Sequence, residues 1–409
     1  MLPLAATDRG RSGLSAYVRG LWRAALDQDL VRRLTLVGTR ADLDAAGLPR
    51  DPRVDAVRLP DGLDGRAASV AFHLLGLPAL AARYRADVLH LPVGNRRPAR
   101  GGTVPVVATV HDIGGEQAGS RAYGLGRTLS AGVIVPRGLR AAQHIIAISA
   151  ATRDALAGID PRLAARATVV PNGVDLRRFR PADPEAARRR VAPLVGDAPY
   201  LLYAARLEHP AKNHLTLIRA FQALRRRRPL PHRLVLVGAP WPGADVVLDA
   251  VRASEGAVVH AGFVEEDLLP PLVQGADVVV FPSLFEGFGL PALEALACGT
   301  PLVASAVPPV REVVGDAALV VDCRNEAGLA GAIELLLDDA GLRRRLREAG
   351  PRRAAEFGWD ACARRTLAVL ASAAAGAAGK GAAAAAAGGT DAPRGRTRHP
   401  SYGIGGQVP

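Results

Sequence analysis

The stretch DVVVFPSLFEGFGLPALEALACGTPLVAS, Asp277 to Ser305, carries a strand, a turn, a helix and a second strand in direct succession. The uncharged run at Val278–Val280 reads as a strand buried on both faces, as in a parallel sheet. Pro291 suits the first turn of a helix, where its missing N–H costs nothing. Cys298-Gly299 then ends that helix, and PLVAS opens the next strand. A strand, a crossover helix and a strand make one βαβ unit, and the same rhythm runs through the rest of the chain.

Further strands are expected at Leu34–Gly38, Val54–Leu59, Asp87–Leu91, Val104–Val110, His144–Ser149 and Thr168–Pro171, with a truncated one near Leu2–Ala6. A second set falls at Tyr200–Ala204, Leu234–Gly238, Val258–Ala261, Asp277–Pro282, Leu302–Ser305 and Ala318–Val321. At 409 residues the chain exceeds what one core usually supports. The expected class is therefore α/β, with two Rossmann-like domains in tandem. Proline and charge interrupt the rhythm over Arg180–Tyr200, which sets the domains at 1–182 and 183–355. From residue 373 to 409 the composition is rich in alanine, glycine and proline, cannot supply a core, and reads as a disordered tail.

The loop LFEGFGL lies at the carboxyl edge of a parallel sheet, where open α/β folds bind ligands. The N–H groups of Gly287, Phe288, Gly289 and Leu290 stand at a helix N-terminus, and with the helix dipole they suit a phosphate. Glu286 precedes the helix and Glu294 lies about one turn inside it, so the two can address different ends of one ligand. A carboxylate beside a phosphate is otherwise unfavourable; each is expected to accept hydrogen bonds from sugar hydroxyls.

These residues, EGFGLPALEALACGTPLVAS, resemble the E-x7-E signature of the family 4 retaining glycosyltransferases, the "group 1" transferases with the GT-B fold. The resemblance implies two Rossmann-like domains facing across a central cleft. The first would bind the acceptor and the second a nucleotide sugar, with a closing helix at 356–372 crossing back to the first. It implies further that Glu294 binds the nucleotide ribose, Glu286 contacts the donor sugar and the glycine-loop amides hold sugar and diphosphate. RLEHPAKN resembles the family's diphosphate-binding pair, Arg206 and Lys212; Ala204-Ala205 departs from a glycine common in relatives. By the same likeness Gly238 and Val264 lie near the base, and Ser149, Thr152 and Asn172-Gly173 near the cleft. RGRSGLSAYVRGL, with Gly10 and Gly13, is similar to the family's first glycine-rich loop.

His111, at the end of the strand VVATV, is open to two readings: a contact to donor sugar or acceptor hydroxyl, titrating near neutrality, or a ring satisfied by local backbone. The acidic run Glu265-Glu266-Asp267 is expected to cap a helix. DLD at Asp42–Asp44 reads as capping or solvent-exposed, not as a metal site, and neither a metal nor a cofactor beyond the nucleotide sugar is expected.

A net charge of +13 suits an anionic partner, which can be a nucleotide, a phospholipid surface or a nucleic acid. Aromatic residues at 4% offer few stacking platforms and argue against nucleic acid. The cysteines Cys298, Cys323 and Cys362 are far apart and read as buried thiols of a reducing, cytoplasmic setting. The start, MLPLAATDRG, has no secretory pattern. The run AASVAFHLLGLPALAA, between Arg66 and Arg83, is too short to span a bilayer and reads as a buried helix. Arginines flanking apolar runs leave open a contact with the inner face of the membrane. The expected activity is metal-independent transfer of a mannose- or glucose-type hexosyl group, from a GDP- or UDP-sugar to a glycan or lipid-linked acceptor. The setting would be polysaccharide or glycolipid assembly; a nucleotide-sugar epimerase or another GT-B enzyme is the alternative.

Overall fold

The computed structural model describes residues 1–388 except 6, 8, 10, 11, 98, 100, 101 and 114–134. Its strands are β1 (Leu2–Pro3), β2 (Leu34–Gly38), β3 (Val54–Arg58), β4 (Leu89–Leu91), β5 (Val106–Val110), β6 (His144–Ala147) and β7 (Ala167–Val169), followed by a second set. That set is β8 (Tyr200–Ala204), β9 (Arg233–Val237), β10 (Val258–His260), β11 (Val278–Phe281), β12 (Leu302–Ser305) and β13 (Leu319–Val321). Every named pairing is parallel. β1 also lies beside β4, because the N–H of His90 donates to the Met1 carbonyl at 3.0 Å.

The first half thus orders its strands 3-2-1-4-5-6-7, and the second orders them 10-9-8-11-12-13. Both are doubly wound Rossmann-like sheets whose order reverses next to the first strand of the half. At such a reversal the neighbouring crossovers leave on opposite faces and open a crevice at the carboxyl ends.

Alternation of side chains assigns each sheet face a partner. In β5 and β6, Val107 and Ile146 join Tyr17, Leu21 and Trp22 of the helix Gly13–Asp27 in one core. Val106, Ala108, Val110 and Ile145 point the other way, onto the helices Leu77–Arg83 and Val135–Ala141. The second half has one continuous core around β8, β11 and β12.

The closing helix runs Trp359–Gly388 and docks on the first half through Cys362, Ala363, Leu370 and Ala373. It continues past the 356–372 expected from sequence, so the expectation of disorder from residue 373 is corrected for residues 373–388. Alanine has the highest helix propensity, and a run too small to build a core still extends a helix already docked. The rest of the expected tail, 389–409, lies outside the described residues, as does Gly10.

The apolar run after Arg66 is helical as expected, Arg66–Ala71 continuing through a wider turn at Phe72–Gly76 into Leu77–Arg83, but only one side of it is buried: His73, Leu77 and Ala81 are buried while Leu75 is exposed. Among the described residues no helix is long and apolar enough to cross a membrane. Asp42 does act as a cap: its carboxylate accepts from the Thr39 N–H at 3.2 Å and hydroxyl at 2.9 Å.

Candidate active site

The carboxyl ends of the two sheets face each other across a cleft of about 400 Å³. Gly13, Arg206, Lys212, Gly238, Val264, Glu286, Gly287, Phe288, Gly289, Leu290, Glu294 and His111, expected from sequence to form one site, all line it. They come from segments that the fold brings together only by stacking the two crevices.

The segment after β8 carries the cations. Asn213 adopts a left-handed conformation at the start of the helix His214–Arg227. Its amide donates to the carbonyls of Pro282, at 3.2 Å, and Cys323, at 2.8 Å. The Leu284 N–H donates to the Ala211 carbonyl at 2.9 Å, which ties this loop to the one bearing Glu286. Lys212 Nζ consequently reaches Glu286 Oε1 at 2.6 Å, both side chains being largely shielded from solvent. Arg206 pairs with Glu208 at 3.1 Å and stacks on the Trp241 ring, its guanidinium carbon 4.5 Å from the centroid. Neither Glu208 nor Trp241 was expected at the site. Glu208 is two residues from Arg206 and was legible as a local counter-ion, whereas Trp241 arrives from the end of β9.

Two glycines make the cleft's geometry possible. Gly238 has φ +148°, and a side chain there would begin 2.1 Å from the Ala205 carbonyl oxygen. At Gly287 a Cβ would lie 1.6 Å from the His111 carbonyl oxygen, so this is where the two halves touch backbone to backbone. Gly289, at φ +102°, ends the loop and begins the helix Leu290–Cys298. That leaves the first N–H groups of the helix outside its own ladder.

Glu294 sits on this helix facing the cleft, and burial pushes its carboxyl up from 4.5 to about 8, with Glu266 adding to the rise and Arg178 opposing it. The folded chain therefore holds this proton more tightly than the unfolded one between pH 4.5 and about 8. Across that window the group's contribution to stability falls as pH rises, and the loss is complete above about 8. Glu294→Gln is expected to abolish that slope: its melting temperature should match the parent's near pH 5 and exceed it above pH 8, read by calorimetry across the range. A parent-like pH profile in the variant would contradict the assignment.

His111 departs from the expectation of titration near neutrality. Burial holds it down to about 4, against the raising effect of a hydrogen bond to the Pro92 carbonyl, while Arg96 lowers it further. Its Nε2 lies 2.8 Å from that carbonyl, which can only accept, so Nε2 carries the proton and Nδ1 remains an acceptor. Tyr17 packs edge-on against the ring at 4.7 Å. The ring is thus satisfied by backbone, as the second reading had it, and it lines the cleft as a neutral group.

The acidic run also departs from expectation. The helix Leu269–Gly275 has no side-chain cap; Glu266 instead pairs with Arg19 of the first half and with Arg178, at 3.5 Å for the latter, and Asp267 pairs with Arg190 at 3.6 Å. A second cavity, of about 420 Å³, lies on the other side of Glu286. It shares Asp112 and Glu286 with the first and adds Phe285, Pro308, Asp322 and Arg324, but neither Arg206 nor Lys212.

The family described as Glycosyltransferase Family 4 matches residues 13–178, and that described as Glycosyl transferases group 1 matches residues 185–353. The D-inositol 3-phosphate glycosyltransferase of Frankia alni is 33% identical over 72% of this chain and 80% of its own length. The chain belongs to the family 4, group 1 glycosyltransferases. An O-antigen chain mannosyltransferase B of Escherichia coli is 36% identical to this glycosyltransferase over 41% of the chain and 44% of its own. The match spans 66%, 49% and 44% of the length of the first three curated relatives. Among solved structures, Anabaena HepE in complex with UDP-glucose is 19% identical, with a TM-score of 0.70 over 91% of this glycosyltransferase and 99% of HepE. That likeness establishes the GT-B fold.

Proposed function

We propose that this glycosyltransferase moves a hexosyl group of mannose or glucose type from a nucleoside diphosphate sugar to a glycan or lipid-linked acceptor, with retention at the anomeric carbon and without a metal. The observation that carries the reading is the convergence of Arg206, Lys212 and the N-terminus of the helix Leu290–Cys298 on one cleft that also holds Glu286 and Glu294. Cations and helix amides together neutralise a diphosphate leaving group as charge develops on it. HepE, which shares the fold, was solved with UDP-glucose, which supports a nucleotide sugar as donor.

In this reading the bond from the anomeric carbon to the phosphate oxygen breaks with its electron pair going to phosphate. The acceptor oxygen then bonds to the same face of that carbon, and its proton passes to the departing phosphate. Glu286 stabilises positive charge at the anomeric carbon. Neutral His111 offers Nδ1 to a sugar hydroxyl, and Glu294 binds the ribose. The second cavity supports acceptor entry beside Glu286, because it borders that carboxylate without reaching the cations of the donor side.

A thermal-shift screen with GDP, UDP, ADP and their mannose and glucose esters tests the donor. NMR of the product anomer, with and without EDTA, then tests retention and metal independence. No stabilisation by any nucleotide sugar would overturn the proposal. Arg206→Ala should lower kcat/KM about 10²-fold by removing a leaving-group contact, measured with radiolabelled donor. Parent-like turnover would remove Arg206 from the site.

A further inference from the structure

On the side of the cleft away from Glu294, the two halves are joined by hydrogen bonds that serve no obvious purpose in holding a nucleotide. The helix Ala150–Ala157 follows β6 in the first half. Its free N-terminal N–H groups, on Ala150 and Ala151, donate at 2.8 and 2.7 Å to the two carboxylate oxygens of Glu312, which belongs to the helix Pro308–Val314 of the second half. The cap of the same helix, Ser149, and its neighbour Thr152 direct their hydroxyls to the carbonyl oxygen of Gly287, at 2.9 and 3.3 Å. That carbonyl belongs to the residue immediately after Glu286.

We propose that Glu312, with Ser149 and Thr152, forms an interdomain clasp that holds the cleft closed and sets the position of Glu286. These are positioning residues. A carboxylate accepting two N–H groups at a helix N-terminus is charge-assisted and favoured by the helix dipole. The Gly287 carbonyl supplies a second point of attachment, and two points fix an orientation where one would leave a pivot. The bridge from Glu266 to Arg19 and Arg178 works differently. It joins side chains that are partly exposed, 46% for Glu266 and 36% for Arg178. Such pairs contribute little and weaken with salt. The clasp bonds to backbone and is the contact expected to persist at high ionic strength.

Two consequences separate this role from general stability. The nucleotide contacts expected from the second half do not pass through the clasp, so breaking it should leave nucleoside diphosphate binding nearly intact while slowing transfer. Shape should change as well, because the halves lose a bond that spans them. The slowing of transfer rests on the proposed function; the change of shape does not.

The test compares the full chain with Glu312→Ala, Glu312→Gln and the double variant Ser149→Ala/Thr152→Val. Small-angle scattering at 0.5 M salt should give a larger radius of gyration for Glu312→Ala and for the double variant than for the parent. Glutamine keeps one acceptor oxygen and should fall between. With a working donor, kcat should drop about tenfold in Glu312→Ala, and the Kd for UDP or GDP by calorimetry should stay within about threefold. Equal radii overturn the clasp, and so does an unchanged kcat or a nucleotide affinity lost together with kcat. If the parent turns over no nucleotide sugar, the proposed function fails, and the radii alone decide the clasp.

Discussion

Glu286→Gln should reduce sugar transfer at least 10²- to 10³-fold while nucleoside diphosphate binding holds or tightens. The magnitude is that of removing one preorganised charge from the position where charge develops in the transition state. The carboxylate and amide have nearly the same shape, so packing around Phe285 and Gly287 is preserved. What changes is the pairing with Lys212, whose ammonium lies 2.6 Å from Glu286 Oε1. With that partner neutral, Lys212 is fully available to a diphosphate, which is why binding should not weaken. A radiolabelled-donor assay alongside calorimetry with UDP and GDP separates the two effects. Parent-like transfer would sink the role given to Glu286, and loss of nucleotide binding would make it a binding residue instead.

Gly287→Ala should be nearly as damaging for a different reason. The added methyl would begin 1.6 Å from the His111 carbonyl oxygen and 3.3 Å from Asp112 Cβ. Because the obstacle is backbone, relief requires the halves to part by more than an ångström. Misplacement on that scale costs about 10²-fold in rate. The second half's own core does not include this contact, so the melting temperature and nucleotide affinity should change little. Gly331→Ala, where nothing lies within 4 Å, is the matched control. A Gly287→Ala enzyme turning over within threefold of the control would show that the closed arrangement is not required for transfer.

The dependence on closure explains why the two kinds of residue at this site differ in how readily the chain betrays them. Glu286, Glu294 and the glycines between them occupy one continuous strand–loop–helix, so their spacing is a local property. Arg206 and Lys212 stand at the end of one strand, close enough that RLEHPAKN shows both. Trp241 stacks on Arg206 from 35 residues away, Glu312 meets Ala150 from 162 away and Arg19 meets Glu266 from 247 away, and nothing in their own surroundings marks them. His111 shows the same division within one side chain. Its place at the end of β5 was legible, but its neutrality was not, because the burial that holds it down to about 4, against the raising bond to the Pro92 carbonyl, comes from the folded surroundings.

By itself the amino-acid order determined what depends on neighbours along the chain. It set the alternation of strands and helices that makes two parallel sheets, the glycine turn into the helix Leu290–Cys298, and the pair of carboxylates eight residues apart. Side-chain periodicity and backbone freedom act over a few residues, so a reader of the sequence has them in full. Only the tertiary structure decided which groups meet. It paired Lys212 with Glu286, closed Gly287 against His111 and set Glu312 on the far helix. Those outcomes depend on how two separately built sheets stack, and on the desolvation and close approach that stacking imposes at their shared edge.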